Sequence, residues 1–215
     1  MLVKDRMTRN PVTITPDTPF PQALRIIHES RFRHLPVVDG EGKVVGIVTE
    51  ADLLRASPSS ASSLSIYEMN YLLANLQIRE VMSSPPITVP EDSPLEEAAR
   101  TMVENSIGCL LVMRGDDLVG VITETDIFKV FVEVLGSKEA SLRITLQVPD
   151  VPGELARLAE VIADLGGNLC SVAAFRSDDP ERVYLTFRMK DLDKDVLLPA
   201  LEEMGEEVVH ICCVA

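Results

Sequence analysis

The chain repeats itself once, and this internal repeat limits how the first half of the molecule can fold. Residues 7–55 and 82–129 align along their whole length, apart from a single residue lost in the turn after Asp39. Two copies are too few for a solenoid, in which stacked neighbours bury each unit's apolar face. The repeat therefore predicts two equivalent modules packed around a pseudo-twofold axis. The aligned pairs include Met7 with Met82, Gly46 with Gly120 and Asp52 with Asp126.

Each copy predicts the element order β-α-β-β-α. The helix of each copy should begin at a hydroxyl residue followed by proline, which are favourable residues for the cap and the first helical position. Two short apolar runs around a turn then predict a hairpin. In the first copy these elements are a strand at 12–15, a helix after Thr18-Pro19, strands at 35–38 and 44–48, and a helix at 51–55.

Pattern and composition divide the chain into four parts. Residues 1–56 and 78–135 are the repeats, and residues 57–77 join them through a Ser-rich tract (57–63) and an amphipathic helix. Residues 140–215 predict a separate domain of order βαββαβ. This is the ferredoxin-like arrangement, with two helices on one face of a four-stranded antiparallel sheet. The fold class is therefore α+β.

Composition excludes several classes of function. The chain carries 34 acidic and 20 basic residues, a net charge of −14, which repels nucleic acids and anionic membranes. No apolar run is long enough to span a bilayer, and the N-terminus lacks a signal-peptide pattern. The four cysteines show no paired spacing, as expected of reduced thiols. We therefore expect a cytoplasmic protein without nucleic-acid or membrane partners.

The clearest chemical signal lies where the last strand of each copy meets the following helix. The pattern Gly-h-h-Thr-x-x-Asp, with h apolar, occurs at 46–52 and again at 120–126. A helix start offers N–H groups and partial positive charge to a phosphate, and an Asp can accept hydrogen bonds from ribose hydroxyls. The same spacing is that of a capping box, in which the two side chains only satisfy the helix's own N–H groups. Both interpretations stay open at this point.

Together with Arg-His-Leu-Pro-Val-Val-Asp at 33–39, these motifs resemble cystathionine-β-synthase (CBS) domains, whose tandem pair forms a disc that binds adenine nucleotides. The resemblance covers about residues 3–133. It implies pockets that join the Thr-x-x-Asp of one repeat to the first extended segment of the other. One implied pocket contains Asn10, Val12, Arg33, His34, Thr123 and Asp126, and the other contains Thr49, Asp52, Pro85, Ile87, Gly108 and Cys109.

The two implied pockets differ in charge. Arg33 and His34 supply basic side chains to the Asp126 pocket, and arginine makes strong charge-assisted contacts with phosphate. Gly108 and Cys109 supply none to the Asp52 pocket. We expect the Asp126 pocket to prefer AMP, ADP or ATP, and the Asp52 pocket to stay empty or to take an uncharged adenosyl ligand.

Residues 140–215 resemble an ACT domain, and the order of domains resembles AcuB-type proteins, which are linked by name to acetoin utilisation. The family pattern Asp-x-Pro-Gly, helix, Gly-Gly-Asn is met at 150–153 and 166–168. It implies a small effector such as an amino acid, bound with residues contributed across a subunit interface. The alternative is a tight strand-to-helix turn without a ligand. The implied effector residues are Asp150, Pro152, Gly153 and Asn168.

Together these features predict a regulatory, ligand-sensing homodimer that binds adenine nucleotide as a ligand and needs no cofactor. The alternative is a structural or interaction protein whose domains mediate oligomerisation only. An enzyme is not expected, because His28, His34 and His210 lie in three different elements. A metal site at His210 and Cys212 would need further ligands that the sequence does not place nearby.

Overall fold

The computed structural model describes residues 1–30, 32–57, 65–135 and 140–214. They form two compact units, Met1–Ile127 and Phe128–Ala215. Most of the predicted Ser-rich tract, at 58–63, lies outside the described residues.

The first unit contains the first repeat and the second repeat up to Ile127, within the helix Glu124–Val134. The element order is as predicted, except that the predicted strand at 12–15 is reduced to an isolated bridge at Ile14. A single 3-10 turn precedes each repeat, at Val3–Asp5 and Ile78–Glu80. The first repeat and the helix after it comprise β1 (Thr8–Arg9), α1 (Phe20–Ser30), β2 (His34–Val38), β3 (Val44–Thr49), α2 (Glu50–Ala56) and α3 (Ile66–Asn75). The second comprises β4 (Thr88–Pro90), α4 (Leu95–Asn105), β5 (Cys109–Arg114), β6 (Asp117–Thr123) and α5 (Glu124–Val134).

The predicted helix starts are one position early. The Thr18 hydroxyl accepts a hydrogen bond from the backbone N–H of Thr15 at 3.0 Å, so it closes the preceding turn and α1 begins at Phe20. In the second repeat Pro94 occupies the cap position, without a side-chain cap.

The last strand of each repeat is covered by the beginning of the other. Strand β1 pairs antiparallel with β6, and Ser83 pairs antiparallel with Ile47 on β3. Each extended segment then crosses back to its own repeat, where Ile14 pairs parallel with Val37 and β4 pairs parallel with β5. The two modules are therefore joined by equivalent strand contacts in both directions.

Apolar residues fill the space within and between the repeats. The buried side chains of β5 and β6 pack against Val44 and Ile47 of the first repeat, while Leu73 and Leu76 of the α3 region cover the first repeat's core. That core consists of Ile14, Phe20, Ala23, Ile27, Leu35, Val37, Val48, Leu53 and Ile78.

The second unit contains the predicted ferredoxin-like sheet. Its strand order is β10-β7-β9-β8, all pairs antiparallel. Leu158 and Ile162 of one helix, and Leu197 and Leu201 of the other, bury one face of this sheet. The elements are β7 (Ser141–Pro149), α6 (Glu154–Asp164), β8 (Asn168–Arg176), β9 (Arg182–Lys190), α7 (Lys194–Glu203) and β10 (Glu207–Val214). The predicted α+β class and both domain architectures are confirmed.

Across the described ranges, no helix combines the length and the apolar character needed to cross a bilayer.

Candidate functional site

The two strand-to-helix corners share one internal geometry. We call residues 49–52 the first corner and residues 123–126 the second corner. In the first, Asp52 Oδ2 accepts hydrogen bonds from the Thr49 N–H at 2.9 Å and the Thr49 hydroxyl at 2.7 Å. In the second, Asp126 Oδ2 accepts from the Thr123 N–H at 3.1 Å and hydroxyl at 2.7 Å. The capping contacts that the sequence left open are therefore present in both corners.

The cap uses one of the two oxygens of Asp52. Its Oδ1 lies 3.7 Å from Arg55 Nη1, and the Arg55 side chain is 79% exposed while that of Asp52 is 17% exposed. An ion pair with such an exposed partner contributes little free energy. The cap thus fixes the orientation of the carboxylate and leaves Oδ1 in a weak pair that a ligand hydroxyl can replace.

The strand register adds Asp52 as a neighbour of Arg33 and His34, which the resemblance grouped with Asp126. In the β2–β3 hairpin His34 is the direct partner of Thr49, and the Glu50 N–H donates to the Arg33 carbonyl at 2.9 Å. The start of β2 must meet the end of β3, because the two strands form an antiparallel hairpin within one repeat. Arg33 and His34 therefore lie at the first corner, beside Asp52.

The second repeat shows the same arrangement. Cys109 is the direct partner of Thr123, and the Glu124 N–H donates to the Gly108 carbonyl at 3.0 Å. Gly108 and Cys109 therefore lie at the second corner. These positions correspond to Arg33 and His34, and they bring no charge to the second corner.

The first extended segments lie partly where the resemblance implied. The Asn10 N–H donates to the Val119 carbonyl on β6 at 3.3 Å, and Val12 beyond it is 42% exposed. In the second repeat, the Ser84 hydroxyl before Pro85 donates to the Val45 carbonyl on β3 at 2.8 Å. Ile87 lies against its own repeat, because its carbonyl accepts a hydrogen bond from the Leu111 N–H on β5 at 3.3 Å.

The glycines of the motif allow these crossings. A Cβ placed on Gly46 would lie 2.8 Å from Met82 Sδ and 2.9 Å from the Ser83 carbonyl oxygen. A Cβ on Gly120 would lie 2.5 Å from Met7 Sδ. Glycine is needed here because the backbone of the other repeat passes directly over the strand. The alignment of Met7 with Met82 showed that the two methionines occupy equivalent positions. The sequence alone did not show that each methionine lies over the glycine of the other repeat.

His34 interacts with the carboxylates of both corners. Burial lowers the pKa of this half-buried imidazole below its usual 6.5, and the neighbouring Arg33 lowers it further, while Glu124 and Asp52 oppose the shift. The lowered pKa favours the neutral form of the His34 imidazole. The Arg33 side chain, 79% exposed and 4.0 Å from Glu50 Oε2, supplies permanent positive charge at the first corner.

Cys109 beside the second corner is predicted to be unreactive. Burial, with a smaller contribution from the Asp126 carboxylate, raises the pKa of its thiol to about 12, and the thiolate is the reactive form. At about pH 8, iodoacetamide should modify the exposed Cys170 and Cys213 in the native chain and Cys109 only after unfolding, as read by peptide mass spectrometry. Equal rates for Cys109 and Cys170 would contradict the buried placement.

An open groove of about 470 Å³ lies at the far end of β3 from Asp52. Lys43 and Val44 border it from the first repeat, and Pro86, Thr88 and Met113 border it from the second. Since Asp52 follows the other end of that strand, this groove is separate from both corners.

Within one chain, the predicted effector residues of the ACT-like unit lie at two opposite ends of the sheet. Gly153 has a φ of +92° at the start of α6, as a tight strand-to-helix turn requires, and this turn follows the end of β7. Asn168 begins β8 opposite Lys190, at the level where β7 starts. The helix α6 runs back along the sheet, so about eight residues of strand, roughly 26 Å, separate Asn168 from Asp150 and Pro152. One chain does not bring these residues together.

Within the described residues, no group of three or more His, Cys, Asp or Glu side chains is arranged to hold a metal ion. All four cysteines are free thiols.

A scan against family models decides the family. The CBS domain model matches residues 3–59 and 78–133. The chain belongs to the CBS-domain family. A second model, the TTHA0829-like ACT domain, matches residues 140–212, so this CBS protein carries an ACT domain after its CBS pair.

Solved structures similar to the CBS pair include liganded ones. The AcuB protein of Vibrio cholerae, assigned to acetoin utilization, is 33% identical with a TM-score of 0.52, covering 63% of this chain and 93% of that one. The CBS pair of protein MJ0100, bound to 5′-methylthioadenosine and S-adenosyl-L-methionine, is 30% identical with a TM-score of 0.51, covering 61% and 95%. CBSX2 bound to AMP is 26% identical with a TM-score of 0.52, covering 62% and 98%.

These similarities concern the CBS pair and not the whole chain. Six curated relatives are matched over only 11–51% of their own length. Three of them are named as enzymes, and the match covers 23–24% of each.

Proposed function

We propose that this CBS protein is a regulatory sensor of adenine nucleotides. A nucleotide such as AMP binds at the first corner, where Asp52 holds the ribose and Arg33 and His34 face the phosphate. The observation that carries the proposal is the register of the β2–β3 hairpin, which sets a carboxylate, a guanidinium and an imidazole side by side.

The capping contacts are compatible with this function. A carboxylate fixed through Oδ2 is preorganised, so less conformational entropy is lost when Oδ1 accepts a ribose hydroxyl. Replacing the weak pair between Asp52 and Arg55 also frees that arginine for the phosphate. The similar CBS pairs bound to AMP and to adenosyl ligands support adenine as the common chemistry.

The second corner is proposed to prefer an adenosyl ligand without phosphate. Gly108 and Cys109 replace the basic pair there, and a Cβ on Gly108 would lie 3.2 Å from the Glu124 carboxyl carbon. A carboxylate so close disfavours a phosphate and favours a neutral or cationic ligand. 5′-Methylthioadenosine and S-adenosyl-L-methionine, the ligands of protein MJ0100, have this character.

An amino-acid effector at the ACT domain is a separate proposal. It requires a second copy of the chain, because one chain keeps Asp150 and Asn168 at opposite ends of the sheet. The regulatory proposal for the CBS pair does not depend on it.

Thermal unfolding separates the sensor from a purely structural role. Ligand that binds only the folded state adds RT ln(1 + [L]/Kd) to the free energy of unfolding, about 2.7 kcal/mol at a hundredfold excess over Kd, and so raises the melting temperature. We expect a melting temperature that rises with the logarithm of AMP concentration above Kd, and no rise with ribose 5-phosphate at equal ionic strength. A melting temperature that ignores AMP, ADP, ATP and 5′-methylthioadenosine would leave the oligomerisation role as the better account.

The affinity for AMP should depend on pH through His34. Burial and Arg33 keep the pKa of His34 low in the unliganded protein, and a bound phosphate would raise it. If the pKa of His34 is higher in the complex, AMP binding is coupled to uptake of a proton, and the affinity for AMP rises as the pH falls. The largest possible increase is about tenfold for each unit by which AMP raises the pKa of His34. We expect an increase between pH 8 and 6 beyond that of His34→Gln, measured by calorimetric titration.

The variant comparison is needed because the phosphate monoester itself titrates near pH 6. His28→Gln, a change on the exposed side of α1, is the matched control and should keep the wild-type pH dependence. Identical pH profiles for wild type and His34→Gln would place the phosphate elsewhere.

A further inference from the structure

The face of the ACT sheet away from α6 and α7 carries two arginines directly opposite each other. Arg143 on β7 and Arg188 on β9 are register partners. Their neighbours Leu142, Ile144 and Phe187 belong to the core under the helices, so alternation places both arginines on the other face. Like charges at directly opposed positions destabilise a sheet. In a chain of net charge −14, such a pair needs an explanation.

Arg188 is buried with its hydrogen bonding incomplete. It is 5% exposed, and its Nη1 donates to the Leu135 carbonyl at 2.7 Å. Its buried Nε has no hydrogen-bond partner among the described residues. A carbonyl neutralises no charge, and an unsatisfied buried cation is costly. Among the described residues, the site therefore lacks an acceptor that carries negative charge.

The flanking strands supply no acid to this row. Cys212 on β10 is opposite Arg143, and Ser171 on β8 is opposite Arg188. Within the described ranges Arg143 makes no ion pair. Arg182 on the same face also has a buried Nε without a hydrogen-bond partner among the described residues, but it has an acidic neighbour, because Glu207 Oε2 lies 3.1 Å from its Nη2.

The next row adds hydroxyl donors. Thr145 and Thr186 are opposite each other, with their hydroxyl oxygens 2.9 Å apart. One hydroxyl donates to the other, and the acceptor keeps its own proton to donate outward. Arg143 and Thr145 are only half-buried, so this part of the face can be reached from solvent.

We propose that Arg143 and Arg188, with the Thr145–Thr186 pair beside them, bind a small oxyanion, either a carboxylate or a phosphate. Two guanidinium groups match the geometry of such an anion, and its charge relieves their repulsion. This site lies on the sheet face, away from the turn at Asp150–Gly153.

The test uses the full chain labelled with ¹⁵N-arginine and follows the Nε–H signals by NMR. Malonate and inorganic phosphate are titrated separately against sodium chloride at equal ionic strength. The Arg188 signal, identified by its loss in Arg188→Gln, should shift saturably with one of the two anions. Arg143→Gln should weaken that binding about tenfold or more, as expected for a lost charge-assisted contact. Saturation with malonate would identify a carboxylate ligand, and saturation with inorganic phosphate would identify a phosphate ligand.

Arg176→Gln on the exposed edge strand β8 removes the same charge and should leave the anion affinity unchanged. The proposal would be overturned if the Nε–H shifts depended on ionic strength alone. It would also be overturned if Arg176→Gln and Arg143→Gln lost anion affinity equally. Should Arg188→Gln fail to fold, the half-buried Arg143→Gln still gives the result. The AMP affinity of Arg143→Gln should match the wild type, so failure here is distinguishable from failure of the nucleotide proposal.

Discussion

Replacing Gly46 with alanine is expected to lower the free energy of unfolding by about 1–3 kcal/mol, the usual cost of forcing atoms into a packed contact. The new Cβ would lie 2.9 Å from the Ser83 carbonyl oxygen, which belongs to backbone paired with β3 and cannot swing aside. Gly120→Ala should behave similarly, because Met7 and the Thr8 carbonyl oxygen lie over it. Urea unfolding followed by circular dichroism measures both.

Gly40→Ala is the matched control, since nothing lies within 4 Å of a Cβ at that position. It should unfold at the wild-type midpoint or slightly above it, because alanine restricts the unfolded chain. Equal midpoints for Gly40→Ala and Gly46→Ala would mean that the extended segment of the second repeat does not cross β3 as described.

Replacing Asp52 with alanine is expected to reduce the affinity for AMP about tenfold or more, because a hydrogen bond between the ribose and a charged oxygen is lost. Asp126→Ala should change AMP affinity by less than about threefold, since the second corner lacks the basic pair. Affinity for 5′-methylthioadenosine should show the opposite order. Calorimetric titration of Asp52→Ala and Asp126→Ala with AMP and with 5′-methylthioadenosine gives the four dissociation constants to compare with those of the wild type.

The two variants control for each other. Each removes an Asp whose Oδ2 accepts from a Thr N–H and hydroxyl, so each loses a similar helix cap, worth about 0.5–2 kcal/mol of stability. Arg33→Ala, at a 79% exposed side chain, leaves both caps intact and should also weaken AMP binding. Equal loss of AMP affinity in Asp52→Ala and Asp126→Ala would contradict the assignment of charge to the first corner.

The sequence predicted the architecture well because periodicity and repetition are local signals. The alternation of Leu142, Ile144 and Leu146 identified a strand that the structure places in the core of the ACT domain. The aligned motifs at 46–52 and 120–126 located both corners. The helix starts were early because the Thr18 hydroxyl has a competing backbone partner, Thr15, that no cap pattern reveals.

The grouping of site residues could not be predicted from the motifs alone. The resemblance implied pockets shared between repeats, but a hairpin brings the ends of its own two strands together, so Arg33 and His34 lie beside Asp52. A related point concerns the ACT domain. The pattern places Asp150 and Asn168 on either side of α6, and because this helix runs the length of the sheet, one chain keeps the two residues at opposite ends. A site built from both would take them from two copies of the chain, as the resemblance implied.

A crystal structure of the full chain grown with AMP would show whether the nucleotide binds at the first corner. We expect AMP there, with a ribose hydroxyl on Asp52 Oδ1 and the phosphate facing Arg33 and His34. Density for AMP at another surface, or a first corner unchanged at saturating AMP with Asp52 still paired to Arg55, would contradict it.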